Sequence, residues 1–237
     1  MMDVPLRSES ADAGIRSIFD EAVSLKEKDP EKCKDLLRKA AGSGCSASMV
    51  LLGDILIDGT QEEKQEALSL FRKAYECGNG MGSRNLGYCF ALGLGAGKDK
   101  EEAARWYLVS AESGNAKAQC NLGVLYEYGH GVPEDMAEAA RWYKESGKNG
   151  YSRGMTNYAR MLRDGKGVER DPRAALEWFE KSGSPRAKRL MALMLLEGNG
   201  VPEDRERAVK LLESAAPKDK KSIAILEELR NGRSRPQ

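Results

Sequence analysis

The chain is poor in the residues that hydrolytic and metal chemistry depend on. Among 237 residues there is one histidine, His130, and it lies in a glycine loop with no nucleophile at a motif spacing. It reads as a loop residue rather than a catalytic base. The five cysteines, Cys33, Cys45, Cys77, Cys89 and Cys120, are odd in number and lack metal-binding spacing. No metal and no cofactor are therefore expected. No window approaches the roughly 18 consecutive apolar residues of a membrane span. The N-terminus, MMDVPLRSESADAG, has no apolar core of the kind a secretory signal needs. Neither sign of charge is in excess, with Lys+Arg 38 against Asp+Glu 37. A net charge of +1 gives no long-range attraction to nucleic acid or to an anionic membrane. The short basic end at 230–235 has no interleaved aromatics and reads as a solvated tail. No strand pattern is visible. The run from Gly93 to Gly97 looks superficially like a phosphate loop, but it follows a helical pattern and recurs as an inter-helix loop, which rejects nucleotide binding.

What the chain does have is a repeat. Trp106, Trp142 and Trp178 are spaced 36 residues apart, each followed by an aromatic, Tyr107, Tyr143 and Phe179. Gly93, Gly129 and Gly165 keep the same step. A fixed period in the thirties marks an all-α chain of stacked two-helix units, each touching mainly its neighbours. Aligned by repeat, the five cysteines fall at five different positions, so no repeated disulfide is expected and the thiols read as reduced, in a cytosolic or nuclear compartment.

In chain order, residues 1–12 form a polar tail and 13–44 a leading helix pair. In that pair Ile15, Ile18, Phe19, Ala22 and Leu25 recur at helical spacing, and Asp29-Pro30 opens the second helix as N-cap and first-turn proline. Five repeats fill 45–216, at about 47–78, 81–114, 115–150, 151–183 and 184–216. The first is degenerate, with TQEEKQ in place of the glycine loop and Leu70-Phe71 in place of the Trp-Tyr pair. Residues 217–237 hold a capping helix, carried by Ile223, Leu226 and Leu229, and the basic tail.

The recurring letters have physical readings. Gly53, Gly87 and Gly123 sit inside a helix, where glycine costs about 1 kcal/mol against alanine. Ala159 and Ala192 take the same place, so a small side chain there implies close approach of the partner helix. Gly129 closes the first helix in a left-handed conformation, Gly131 turns the loop, and Val132 should tuck between helices. Asp99, Asp135, Asp171 and Asp204 read as N-caps of the second helices, and Glu102 and Glu138 as the reciprocal members of capping boxes. The paired aromatics read as core between helices and between repeats.

The run NLGVLYEYGHGVPEDMAEAARWYKESGKNG is similar to the Sel-1-like repeat, a relative of the tetratricopeptide repeat. Ala118, Leu122, Gly123, Tyr126, Gly129, Gly131, Val132, Asp135, Ala139, Trp142 and Tyr143 match its pattern in one copy. The resemblance implies a right-handed α-solenoid of antiparallel helix pairs and an adaptor that assembles complexes, not an enzyme. Relatives act in protein quality control, cell-envelope and signalling assemblies, and host interaction. Some secreted bacterial members carry a disulfide in each repeat, and this chain lacks those cysteine pairs.

The resemblance also implies that the first helices line a concave surface for a protein or peptide partner. The residues expected there are Arg84, Asn85, Tyr88, Asn121, Val124, Tyr128, Asn157 and Arg160. Asn85, Asn121 and Asn157 recur every 36 residues, and two readings stand: direct contact with a peptide backbone, or hydrogen bonds within and between repeats. Tyr88 and Tyr128 are the aromatic anchors. Arg84, Arg160 and Arg163 favour an acidic partner, and Glu127 and Glu197 dilute that preference. The function expected is a non-enzymatic, intracellular scaffold or adaptor. The alternatives are a regulatory subunit that activates a bound enzyme and, less favoured, a small hydrolase. A monomer is expected, with weak self-association through imperfectly capped ends.

Overall fold

A computed structural model describes residues 9–232. The tail at 1–8 and the basic end at 233–237 lie outside the described residues, and the first helix begins within the expected tail, at Glu9. All regular structure among the described residues is helical. The chain divides into two compact units, Met1–Ser113 and Gly114–Gln237. The first holds α1 (Glu9–Leu25), α2 (Pro30–Gly42), α3 (Ser46–Leu56), α4 (Gln61–Glu76), α5 (Gly80–Leu92) and α6 (Lys100–Glu112). The second holds α7 (Ala116–Tyr128), α8 (Met136–Lys148), α9 (Ser152–Asp164), α10 (Pro172–Ser182), α11 (Pro185–Glu197), α12 (Arg205–Ala215) and, after a short 3-10 turn, α13 (Lys220–Arg230). Within each unit every helix packs on the next, with the two members of a pair in closest register.

The recurring small residue is explained by the ring opposite it. A Cβ on Gly123 would lie 2.7 Å from the Tyr143 ring, one on Gly87 2.7 Å from Tyr107, and one on Gly53 2.4 Å from Phe71. Each ring belongs to the second helix of the same pair and is almost wholly buried. The aromatic and the glycine are one device. The ring fills the space where a side chain would stand, and its burial offsets the roughly 1 kcal/mol that glycine costs the helix.

The recurring tryptophans are less uniform than the tyrosines beside them. Trp142 is buried, while Trp106 and Trp178 are half-buried. Trp106 meets Tyr75 edge-on at 5.2 Å between ring centres, and Trp178 meets Tyr158 in the same way, also at 5.2 Å. The Trp106 indole N–H donates to Glu102 at 2.9 Å. At the same place in the next repeat Glu138 is held by Arg141 (2.6 Å), and the buried Trp142 N–H has no partner among the described residues.

Asp99, Asp135, Asp171 and Asp204 do cap the second helices, each accepting from a backbone N–H of the first turn. The capping boxes expected of Glu102 and Glu138 are not formed. The backbone N–H that such a glutamate would accept is already donated to the preceding first helix: Asp99 N to Phe90 O and Asp135 N to Tyr126 O, both at 2.9 Å. Those bonds fasten the glycine loop to its own helix. The reciprocal box forms instead in the degenerate repeat, where Thr60 N donates to Glu63 at 2.9 Å and Glu63 N to Thr60 Oγ1 at 3.3 Å.

Gly129 closes α7 at φ +61°, and Gly93, Gly165 and Gly198 close their helices in the same left-handed region. In α13 the buried stripe is Ser222, Ile225, Leu226 and Leu229. Ile223, expected on that face, is 43% exposed, because Ser222 takes the inward place and donates to Asp219 at 2.8 Å.

A second recurring row escaped the sequence reading. The hydroxyls of Ser110, Ser146 and Ser182 donate to the carbonyls of Gly80, Ala116 and Ser152, at 3.1, 2.6 and 3.0 Å. Donors and acceptors both step by 36. Each bond ties the end of a second helix to the start of its own first helix.

Candidate functional site

The eight expected surface residues divide between the units. Arg84, Asn85 and Tyr88 lie on α5; Asn121, Val124 and Tyr128 on α7; and Asn157 and Arg160 on α9. In the first unit Asn85 is 3% exposed, and its amide donates to Asp54 of α3 at 2.7 Å. Tyr88 is exposed, and it borders with Arg84, Asn85, Asp54, Ile57 and Phe71 a small pocket of about 110 Å³. That volume is far below the roughly 300 Å³ at which ligand sites begin, so it suits a single side chain and not a metabolite.

In the second unit Asn157 is 5% exposed and donates to the Cys120 sulfur on α7 at 3.8 Å. Both buried asparagines therefore bridge successive first helices. Asn121 and Val124 are half-buried. Tyr128 is 57% exposed at the C-terminal end of α7, tilted against His130 with ring centres 5.9 Å apart.

Beside Tyr128 lies a buried ionic group. Glu127 is 6% exposed; Arg160 of α9 donates to both its oxygens (2.7 and 2.6 Å) and the Tyr143 hydroxyl of α8 donates at 2.7 Å. Burial alone would raise the Glu127 pKa. The hydrogen bonds from Arg160 and Tyr143 outweigh it and hold the carboxyl below its ordinary range. The same network and burial push the Tyr143 hydroxyl far up, keeping it a donor. Arg160 is thus a braced cation rather than a free one. Sequence reasoning placed Arg160 on the surface and treated Glu127 as a diluting neighbour. The signal for the pair was copy-to-copy: Ala91 and Leu196 stand where Glu127 does in other repeats.

Around this group α9 and α11 carry Arg153, Arg186 and Arg189. Arg189 pairs with Asp219 at 2.7 Å. Arg153 and Arg186 are exposed and make no hydrogen bond or ion pair to a described residue. Burial, followed by the fields of Arg160, Arg189 and Arg153, lowers the Arg186 guanidinium below its ordinary value. The Cys120 thiol, pushed up to about 11 by burial, feels Arg153 and Arg186 in the opposite sense. These residues form one cationic neighbourhood. Among the described residues, no three His, Cys, Asp or Glu side chains are placed to hold a metal ion, and no helix is long and apolar enough to cross a membrane.

The family model for the Sel1 repeat matches residues 24–45, 46–79, 81–115, 116–151, 152–184 and 185–216. The chain belongs to the Sel1 repeat family. The Sel1 match takes in the second helix of the leading pair as part of a sixth repeat. Among solved structures, a Sel1 repeat protein of Oxalobacter formigenes is 26% identical, with a TM-score of 0.79 over 90% of this chain and 91% of that one. The uropathogenic Escherichia coli protein c5321, described as a protective antigen displaying an SLR fold, is 26% identical with a TM-score of 0.81. The match covers 94% of this chain but spans only 51% of the E. coli protein. The immunity protein PA5088 of Pseudomonas aeruginosa, 20% identical with a TM-score of 0.57, covers 91% of this chain and 85% of that one, and shares the fold. No match was found among the curated proteins. The Sel1 fold expected from the repeat is the fold observed.

Proposed function

We propose that this Sel1 repeat protein is a non-enzymatic scaffold that grips a protein or peptide segment on the surface lined by its first helices, the concave face of such a repeat. Sel1 repeat proteins generally mediate protein–protein interactions, and the partner and the face are the parts proposed here. The observation that carries the reading is the pairing of an exposed aromatic, Tyr128, with a rigid charged group, Glu127–Arg160–Tyr143, on the first-helix side of one unit. Tyrosines are among the usual centres of binding energy at protein interfaces, and the Glu127–Arg160–Tyr143 network fixes the backbone from which Tyr128 projects. Arg84 and Tyr88 provide a smaller counterpart in the first unit.

Asn85 and Asn157 belong to the framework in this reading, since their amides join neighbouring helices. Asn121, half-exposed, keeps the role of a partner contact. Five cysteines without a disulfide fit a reducing, cytoplasmic compartment.

The test is affinity purification from the native cell with the chain and with a variant carrying Asn121→Ala and Tyr128→Ala. The expected result is loss of the co-purifying protein from a variant that melts like the parent. Equal recovery by a folded variant would reject the first-helix surface.

A further inference from the structure

Several charged side chains on this molecule have a partner one turn away. Lys34 reaches Glu31, Arg105 reaches Glu102, Arg141 reaches Glu138, Lys148 reaches Glu145 and Lys210 reaches Glu206, all one turn away. Arg153 and Arg186 have no such partner. They occupy the same place in successive repeats, the second residue of α9 and of α11, and Lys117 holds that place on α7. All three are exposed and without a hydrogen bond or ion pair among the described residues.

The position is electrostatically wrong for a helix. A cation in the first turn opposes the helix dipole, typically by 0.3–1 kcal/mol. Three such choices in consecutive first helices do nothing for the helices that carry them. Arg160 and Arg189 lie in the same neighbourhood, but Glu127 and Asp219 already neutralise them. Arg153 and Arg186 are thus two exposed guanidinium groups at one register of successive first helices, with no counter-charge paired to either.

We infer that Arg153 and Arg186 dock an acidic stretch of the partner protein, a segment with at least two carboxylates, with Tyr128 as a separate apolar contact for the same segment. The inference rests on the scaffold reading and specifies the partner chemistry for the same surface. Guanidinium groups take carboxylates bidentately, so two free arginines specify two acidic side chains in register. A nucleic acid is disfavoured because the chain as a whole is nearly neutral at +1 and offers no extended basic track. Tyr128, 57% exposed and within electrostatic reach of Arg160 and Arg186, supplies the flat apolar surface that a peptide side chain would cover.

The experiment is a fluorescence-anisotropy titration of the full chain with a labelled short peptide of alternating glutamate and leucine. Three comparison probes are used: its lysine-for-glutamate counterpart, single-stranded oligothymidylate, and vesicles containing phosphatidylserine. The variants are Arg153→Gln with Arg186→Gln and, as a charge-matched control in the other unit, Arg72→Gln with Lys73→Gln. The expected result is binding of the acidic peptide that weakens about tenfold or more in the first variant and with added salt, and is unchanged in the control. The lysine peptide should not bind. The inference is overturned if the acidic peptide does not bind, if both variants lose it equally, or if the oligonucleotide or the vesicles bind more tightly. Repeating the native-cell purification with the first variant separates the two levels. A partner recovered by parent and variant alike leaves the scaffold reading standing and removes the arginines from it, whereas a parent that recovers no partner removes the scaffold reading.

Discussion

At the scale of single residues, the repeat is held by a few exact fits. Gly123 faces Tyr143, and nothing larger fits there without moving a fully buried ring or the Ala139 carbonyl, which is 3.2 Å from the missing Cβ. Gly123→Ala gains helix propensity but overpacks the pair, and a net loss of roughly 1–3 kcal/mol is expected by urea denaturation. Glu127 gives a second prediction. Glu127→Gln leaves Arg160, whose side chain is 17% exposed, without its counter-charge, and a loss of about 3 kcal/mol is expected. The pH sign follows from the depressed carboxyl. The contribution of Glu127 to stability is complete above its ordinary value of 4.5 and disappears as pH falls through the lower folded value. Stability curves at falling pH should therefore converge for parent and variant in the acid range. A gap that persists or widens there would contradict the network.

At the scale of helices, the caps and the loop behave as one piece. Asp135→Ala should cost about 1 kcal/mol in thermal unfolding, since two first-turn N–H groups, those of Ala137 and Glu138, lose their acceptor. Glu138→Ala should cost only a few tenths, because its carboxylate serves the exposed Arg141 and no cap. In α4 the order changes, for Glu63 does close a box, and Glu63→Ala should exceed Glu138→Ala. These elements also show what was legible in the letters. Helix spacing, left-handed glycine ends and cap aspartates are local features, and the expected residues take those roles. The reciprocal boxes were not legible because they depend on where the N–H groups of Asp99 and Asp135 go, which is tertiary. The serine row at Ser110, Ser146 and Ser182 was legible in principle, as it keeps the same step as the tryptophans. The Glu127–Arg160 pair joins different repeats with unlike residues, so a search for sameness passes over it. The asparagine row keeps its period but not one fate: Asn85 and Asn157 are buried links, while Asn121 is partly open.

At the scale of the whole molecule, two compact units each carry a first-helix surface with its own aromatic, Tyr88 in one and Tyr128 in the other. Thiol accessibility reports on how intact the units are. Cys77 is exposed and Cys45 half-buried, whereas Cys33, Cys89 and Cys120 are buried and burial pushes Cys89 up to about 12. A thiol reagent should modify Cys77 and Cys45 in the folded chain and the other three only in denaturant. Rapid modification of all five would mean that the cores around Leu86 and Tyr143 open readily. The most direct check on the central claim is hydrogen exchange of the chain alone and bound to the protein that co-purifies with it. Binding is expected to slow exchange on α7, α9 and α11. Protection confined to α8, α10 and α12, with the first helices unchanged, would contradict it.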